Sequence, residues 1–288
     1  MKILENKFSQ LTADPIFILG AARSGTTWVF DIFNAHPKVA GVFESWLFTK
    51  DNGVGSLFTH AHWPPKASGL GRFLEREQVL GLTQEMAQRM MSQAIEPQHQ
   101  FMVEKSPSHL YAIPLIEEIF PQARFIHVLR DGRDVCVSVR AATRSWMPDW
   151  ERTFGKSMAA SAKSWHDAVR RASNEGKRLG DRFLEMRYEE LRTEPIPNYK
   201  KMFDFCGIPY DDAILQDIFN KTDFDMNFKG GEEKFRRGGR IGDWQTHFSL
   251  TDAYKFDKEA GHLLLDKGYA EDANWWWQFW KQKLKGAG

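Results

Sequence analysis

Cysteine is scarce in this chain: Cys136 and Cys206 are the only two in 288 residues. They lie in separate helical segments without metal-ligand spacing. That excludes a multi-bridge disulfide scaffold or a cysteine zinc site and fits a reducing compartment. Long apolar runs are lacking as well. No stretch of 18 apolar residues occurs, and the opening MKILENKFSQLTADP has no core of signal-peptide length. A cytoplasmic protein without a transmembrane segment is expected. Charge of one sign is also missing: 39 basic residues face 38 acidic ones, a net charge of +1. No global field draws a polyanion, so no nucleic-acid partner is expected. What remains is an ordinary globular composition, 42% hydrophobic and 27% charged. Its length suits a single domain over 1–288, with 1–14 as a polar surface lead-in.

The stretch from Pro15 to Phe33 organises the rest. Ile16, Phe17, Ile18 and Leu19 make a run fit for a buried strand. Gly20 to Gly25 is small and turn-prone, and from Thr26 the apolar Trp28, Val29, Ile32 and Phe33 recur at helical spacing. A strand, a tight loop and a helix start form an anion cradle of backbone N–H groups and helix dipole. Arg23 adds a fixed charge, and Ser24, Thr26 and Thr27 add hydroxyls. Gly20 and Gly25 have P-loop spacing, but Thr26 stands where the P-loop lysine belongs. The loop should therefore hold an anion other than a nucleoside triphosphate.

Further along, Val39 to Phe43 reads as a short strand ending at Glu44. Residues 49–72, rich in glycine and proline, read as a long irregular loop, so 46–72 is expected to form a lid or acceptor loop. A helix over Glu75–Ile95 precedes a strand at Phe101–Val103, and Ser108 is expected to cap a helix that Pro121 stops. RFIHVL, Arg124 to Leu129, is the clearest interior strand. Helices follow from Asp134 to Ala142 and from Lys156 to Glu175, then a strand over Phe183–Tyr188, helices to Asn220 and helical patterns from Phe256 onward. Strands alternating with helices predict an α/β fold, a three-layer arrangement with a central parallel sheet flanked by helices. Ligands in such sheets lie beyond the carboxyl ends of the strands. Arg23, Glu44, Lys105, Arg130 and Tyr188 all fall there.

Three motifs resemble those of sulfotransferases that use 3′-phosphoadenosine 5′-phosphosulfate (PAPS). RSGTTW, Arg23 to Trp28, is similar to their 5′-phosphosulfate loop, and VLRDGRDVCVSVR to the 3′-phosphate motif, whose arginine and serine match Arg130 and Ser138. FRRGGRIGDW resembles the cytosolic family's RKGxxGDW stretch. There Arg237 and Gly239 fall on the arginine and glycine, while Gly238 departs from the lysine. The resemblance implies a P-loop-like sulfotransferase fold, PAPS as donor and no metal. It also implies contacts from Arg23, Ser24, Gly25, Thr26, Thr27, Arg130, Ser138, Arg237 and Gly239, with Trp28 stacking on adenine and Tyr188 near its edge. From the residues alone, Trp28 and Tyr188 read equally well as core.

Sulfuryl transfer needs cations where charge develops and a base for the acceptor proton. Arg23 matches the family's loop lysine; it can act by charge but cannot give up a proton. Lys105 is the candidate to stabilise or protonate the leaving oxygen. Pro107 stands where cytosolic members carry a histidine. Glu44 falls where the tyrosylprotein and glycan-modifying enzymes place a glutamate base. His109 is the second candidate base and His62 a third. An ion pair of Glu44 with Arg23 or Lys105 is the plainer alternative. The acceptor is left open among small-molecule, glycan and lipid hydroxyls. The aromatic segment 271–288, with Trp275, Trp276, Trp277, Phe279 and Trp280 beside lysines, fits a helix packed on the domain or on a second copy in a homodimer. A membrane-surface contact is the other use of such a face. A P-loop kinase and a catalytically inactive nucleotide-binding protein are the competing readings.

Overall fold

The computed structural model describes residues 4–61, 69–223 and 239–285. In chain order these form β1 (Ile16–Gly20), α1 (Thr26–Asn34), β2 (Val39–Phe43), α2 (Gly55–Ala61), α3 (Arg76–Met91) and β3 (Phe101–Lys105). Next come α4 (Ile113–Ile119), β4 (Arg124–Leu129), α5 (Gly132–Thr143), α6 (Met158–Leu179), β5 (Phe183–Arg187), α7 (Tyr188–Thr193), α8 (Pro195–Cys206) and α9 (Asp212–Thr222). The chain closes with α10 (Trp244–His247), α11 (Leu250–Asp266) and α12 (Trp275–Lys285).

The five strands form one parallel sheet in the order β2-β3-β1-β4-β5. β1 is central and buried at every residue, which is why it reads as an unbroken apolar run. Alternate residues serve opposite faces. Phe17, Leu19, Phe125 and Leu129 join the core shared with α5, α6 and α11. Ile16, Ile18, Ile126 and Val128 join the core shared with α1 and α8. Because β1 is flanked by β3 on one side and β4 on the other, the strand order reverses beside the loop that leaves it. That is where an open α/β sheet leaves a crevice.

Three expectations are corrected. Within 49–72 the chain forms α2 and a short 3-10 turn at Leu70–Arg72, while 62–68, with His62, lie outside the described residues. At the start of the expected lid or acceptor loop, Leu47, Phe48 and Val54 are buried. Ser108 caps no helix: a 3-10 turn over Pro107–Tyr111 starts after Ser106, and α4 begins only at Ile113. Tyr188 starts α7 instead of ending β5.

The aromatic C-terminal helix packs on its own fold. Trp275 and Phe279 are buried against Trp244, and the Trp275 indole N–H donates to Asp257 at 2.8 Å. Trp277 faces outward and stacks on Trp280 at 4.4 Å. Among the described residues, no helix is long and apolar enough to cross a membrane.

Candidate active site

The loop after β1 bends through two left-handed residues, Arg23 (φ 72°) and Gly25 (φ 107°). At Gly25 the requirement for glycine is steric as well: a Cβ would lie 2.5 Å from the Tyr188 ring. The Ser24 hydroxyl is buried at the loop's centre and has no partner among the described residues. Arg130, at the end of β4, likewise holds a buried Nε without one. Buried donors normally have acceptors. Two orphaned donors at adjacent strand ends fit a ligand bearing anionic oxygens.

Both terminal nitrogens of Arg130 are engaged. One guanidinium nitrogen reaches the Arg23 carbonyl at 3.4 Å, another the Arg240 carbonyl at 3.2 Å, and the group lies 4.3 Å from the Tyr188 ring centre. Ser138, two turns into α5, accepts from Arg23 Nε at 3.2 Å. The groups expected to hold opposite ends of one nucleotide are thus contiguous, joined through Arg23. Tyr188 donates its hydroxyl to the Gly239 carbonyl at 2.8 Å. Trp28 gives its indole N–H to the Thr222 carbonyl at 2.8 Å and meets Tyr188 edge-on. Both rings are core residues with one edge on the site (4% and 2% exposed), so the plain packing role accounts for most of their surface. Arg237 lies outside the described residues, as do Arg236 and Gly238. The segment that follows is docked by Asp134, whose carboxylate accepts the Gly242 and Trp244 N–H groups at 2.8 Å each. Burial, reinforced by Asp131, pushes the Asp134 carboxyl up to about 6.

At the other side of the loop, Lys105 closes β3 and Glu44 follows β2. The register pairs Phe43 with Lys105, so Glu44 leaves the sheet just beyond the lysine, its N–H bonded to the Lys105 carbonyl at 2.7 Å. Lys105 Nζ donates to Glu44 Oε1 at 2.5 Å and to Thr27 Oγ1 at 3.2 Å, and lies 3.8 Å from the Phe43 ring centre. Lys105 is wholly buried, whereas Glu44 keeps 32% of its side chain exposed. Burial drives the ammonium pKa down, and Glu44 holds it part of the way up. His109 is placed elsewhere. It is fully buried, Nδ1 meets Glu104 Oε2 at 2.7 Å, and Nε2 accepts the Phe48 N–H at 3.2 Å. With both ring nitrogens used it has no free site for an acceptor proton, so its position does not suit a base.

These groups surround one cavity of about 400 Å³. Arg23, Gly25, Thr26, Thr27, Trp28, Glu44, Arg130, Ser138, Tyr188 and Gly239 line it, whereas Ser24, Lys105 and His109 do not. The profile of the sulfotransferase family matches residues 15–212, which includes this rim from Arg23 to Tyr188. The chain belongs to the sulfotransferase family.

Among its relatives, an uncharacterized protein of Aquifex aeolicus is 26% identical over 70% of this chain and 26% of its own length. Protein-tyrosine sulfotransferase 1 of Danio rerio is 25% identical over 69% of the chain and 55% of its own length. The chain therefore spans only part of these relatives. Among solved structures, mouse sulfotransferase SULT7A1 complexed with PAP superposes with a TM-score of 0.56 at 17% identity, over 87% of this chain and 84% of that one. That likeness shows the sulfotransferase fold.

This family member carries a second wall the motifs do not reveal. Trp46, Tyr111, Trp146, Met147, Trp150 and Phe154 line the cavity opposite the loop. The Arg23 guanidinium lies 5.2 Å from the Trp146 ring centre, joining the two walls. The sequence signal was present in Trp146, Trp150 and Phe154, which recur every four residues, but that spacing alone cannot tell a core stripe from a pocket wall.

Proposed function

We propose that this chain transfers the sulfuryl group of PAPS to a hydroxyl acceptor by in-line displacement. The carrying observation is the cavity rim: the glycine-bound loop with Thr26 and Thr27, Arg130 with a buried Nε that has no partner among the described residues, and Glu44 with Lys105 bonded behind it. The PAP in the mouse structure supports a 3′-phosphorylated donor here. In this reading Ser24, Gly25, Thr26 and Thr27 bind the 5′-phosphosulfate. Arg130, Ser138, Arg237 and Gly239 serve the 3′-phosphate, and Trp28 and Tyr188 border the adenine.

Glu44 takes the acceptor proton as the acceptor oxygen bonds to sulfur. The bond from sulfur to the 5′-phosphate oxygen breaks on the far side, and that oxygen keeps the electron pair. Lys105 neutralises it once released from Glu44, and Arg23 contributes charge alone. No metal is needed in this scheme, and among the described residues no cluster of metal-ligating groups occurs. Among the described residues the aromatic wall carries no charged side chain, which favours an uncharged hydroxyl compound with a flat apolar body over an acidic peptide. The match over 15–212 and the packing of α11 on α6 support one catalytic domain. Both thiols are free and buried, which agrees with a cytoplasmic setting.

Incubation with sulfur-labelled PAPS and a panel of phenols, apolar alcohols, glycans and acidic tyrosyl peptides tests the reading. Label is expected on an uncharged phenol or alcohol. Phosphate transfer from ATP in place of sulfuryl transfer would overturn it in favour of the kinase.

A further inference from the structure

Two non-glycine residues, Glu44 (φ 44°) and Trp46 (φ 56°), are held in left-handed backbone on either side of Ser45. Such a conformation persists only where the surroundings over-determine it. The restraint comes from the next strand. Glu104, fully buried on β3, accepts on Oε1 the Ser45 N–H at 3.3 Å, the Ser45 hydroxyl at 2.8 Å and the Ser106 hydroxyl at 2.7 Å. Its Oε2 accepts from His109 Nδ1 at 2.7 Å, and His109 Nε2 takes the Phe48 N–H at 3.2 Å. The Ser106 oxygen in turn accepts the Trp46 N–H at 3.2 Å. Every member has a partner, so the network can fix one conformation.

We propose that Glu104, Ser45 and His109 are positioning residues that hold the turn 44–46, aiming Glu44 at the reacting hydroxyl and Trp46 into the acceptor wall. The proposal rests on the reading of Glu44 as the base. It gives His109 a role that involves no contact with substrate. The proton order is set throughout: the Phe48 amide must donate to Nε2, so Nδ1 carries the hydrogen and Glu104 must be the acceptor. Glu104→Gln breaks that order, because an amide N–H facing Nδ1 would force a proton onto Nε2, against the Phe48 N–H. The same carboxylate acts on Lys105. The charges bearing on that ammonium are Glu44 from the end of β2, Glu104 from its own strand and Asp31 from α1, all of which raise its pKa against the burial that lowers it. Removing the Glu104 charge should shift the basic limb of the pH–rate profile downward, which a purely structural residue would not do.

The experiment compares Ser45→Ala, Ser45→Thr, Glu104→Gln and Glu44→Gln in the full chain, reading kcat, the PAP dissociation constant and the pH profile. Ser45→Ala should lower kcat at least tenfold with PAP affinity within twofold, and Ser45→Thr should restore most of the rate. In a Glu44→Gln background, Ser45→Ala should add no further loss. If Glu104→Gln does not fold, the Ser45 pair still decides. Wild-type kcat in Ser45→Ala, with Glu44→Gln impaired, would overturn the positioning role alone. Wild-type kcat in Glu44→Gln would overturn the base, and the positioning role with it.

Discussion

Lys105 and Glu44, at the ends of neighbouring parallel strands, share a proton bond of 2.5 Å from Nζ to Oε1, with the lysine wholly buried and the glutamate one-third exposed. The carboxylate reaches the cavity and the ammonium stays behind it, the arrangement used by the proposed base and leaving-group cation. Replacing Glu44 by Gln removes the proton acceptor but keeps the shape. Turnover is expected to fall about 10²–10⁴-fold, the usual contribution of a general base, while PAP affinity stays near wild type. Steady-state kinetics with calorimetric binding of PAP checks this. An unchanged kcat would place the base elsewhere.

Arg130 carries the other half of the site. In the proposed reading its Nε and the Ser138 hydroxyl, two turns into α5, hold a phosphate, and a charge-assisted bond of this kind is worth about 1.5–3 kcal/mol. Arg130→Ala should therefore weaken PAP by roughly 10–100-fold and leave 5′-AMP binding much less affected. Equal losses for the two nucleotides would show that Arg130 does not read the 3′-phosphate.

Gly25 is expected to tolerate no side chain. With φ at 107° and the Tyr188 ring 2.5 Å from any Cβ, Gly25→Ala strains the loop and displaces the ring beneath Arg130. A stability loss of about 1–3 kcal/mol is expected from the backbone alone, with loss of PAP binding. Chemical denaturation and binding on the same preparation measure both. A variant with wild-type stability and affinity would contradict the loop geometry.

Much of the site's scaffold was legible because its signals are local. The apolar run RFIHVL is β4 over its full length, and the glycine-bound loop between an apolar strand and a 3.6-period helix is β1–α1 as expected. The burial of Leu47, Phe48 and Val54 at the start of the expected lid or acceptor loop is not legible locally, because these residues are spread among glycines and Phe48 packs on the distant Phe17, Phe120 and His109. His109 is the second candidate base in the sequence reading, after Glu44, because a histidine near Lys105 invites that role. Its true partner, Glu104, is five residues away and faces it only once the 3-10 turn forms. The Glu44–Lys105 pair lay among the sequence's alternatives, but its selection follows from the β2–β3 register, a tertiary fact. The aromatic wall was missed for the same reason.

Asp134 gives the fold a pH term of known sign. Its folded-state pKa of about 6 exceeds the ordinary 3.8, so this group's contribution to stability is complete below pH 4 and is lost as pH rises through 6. Relative to Asp134→Asn, the wild type should lose about 3 kcal/mol between pH 4 and pH 7, from a shift of roughly two units. Urea denaturation of both proteins across that range provides the check. A pH-independent difference would mean that Asp134 is ionised throughout.

The central claim is that one rim reads both phosphates of an adenosine 3′,5′-bisphosphate, and competitive calorimetry tests it most directly. PAP, 5′-AMP and ATP with magnesium are titrated into the same protein. PAP is expected to bind at least tenfold more tightly than 5′-AMP, with no magnesium requirement and ATP weaker than PAP. Equal affinity for PAP and 5′-AMP, or tighter binding of magnesium-ATP, would contradict the account.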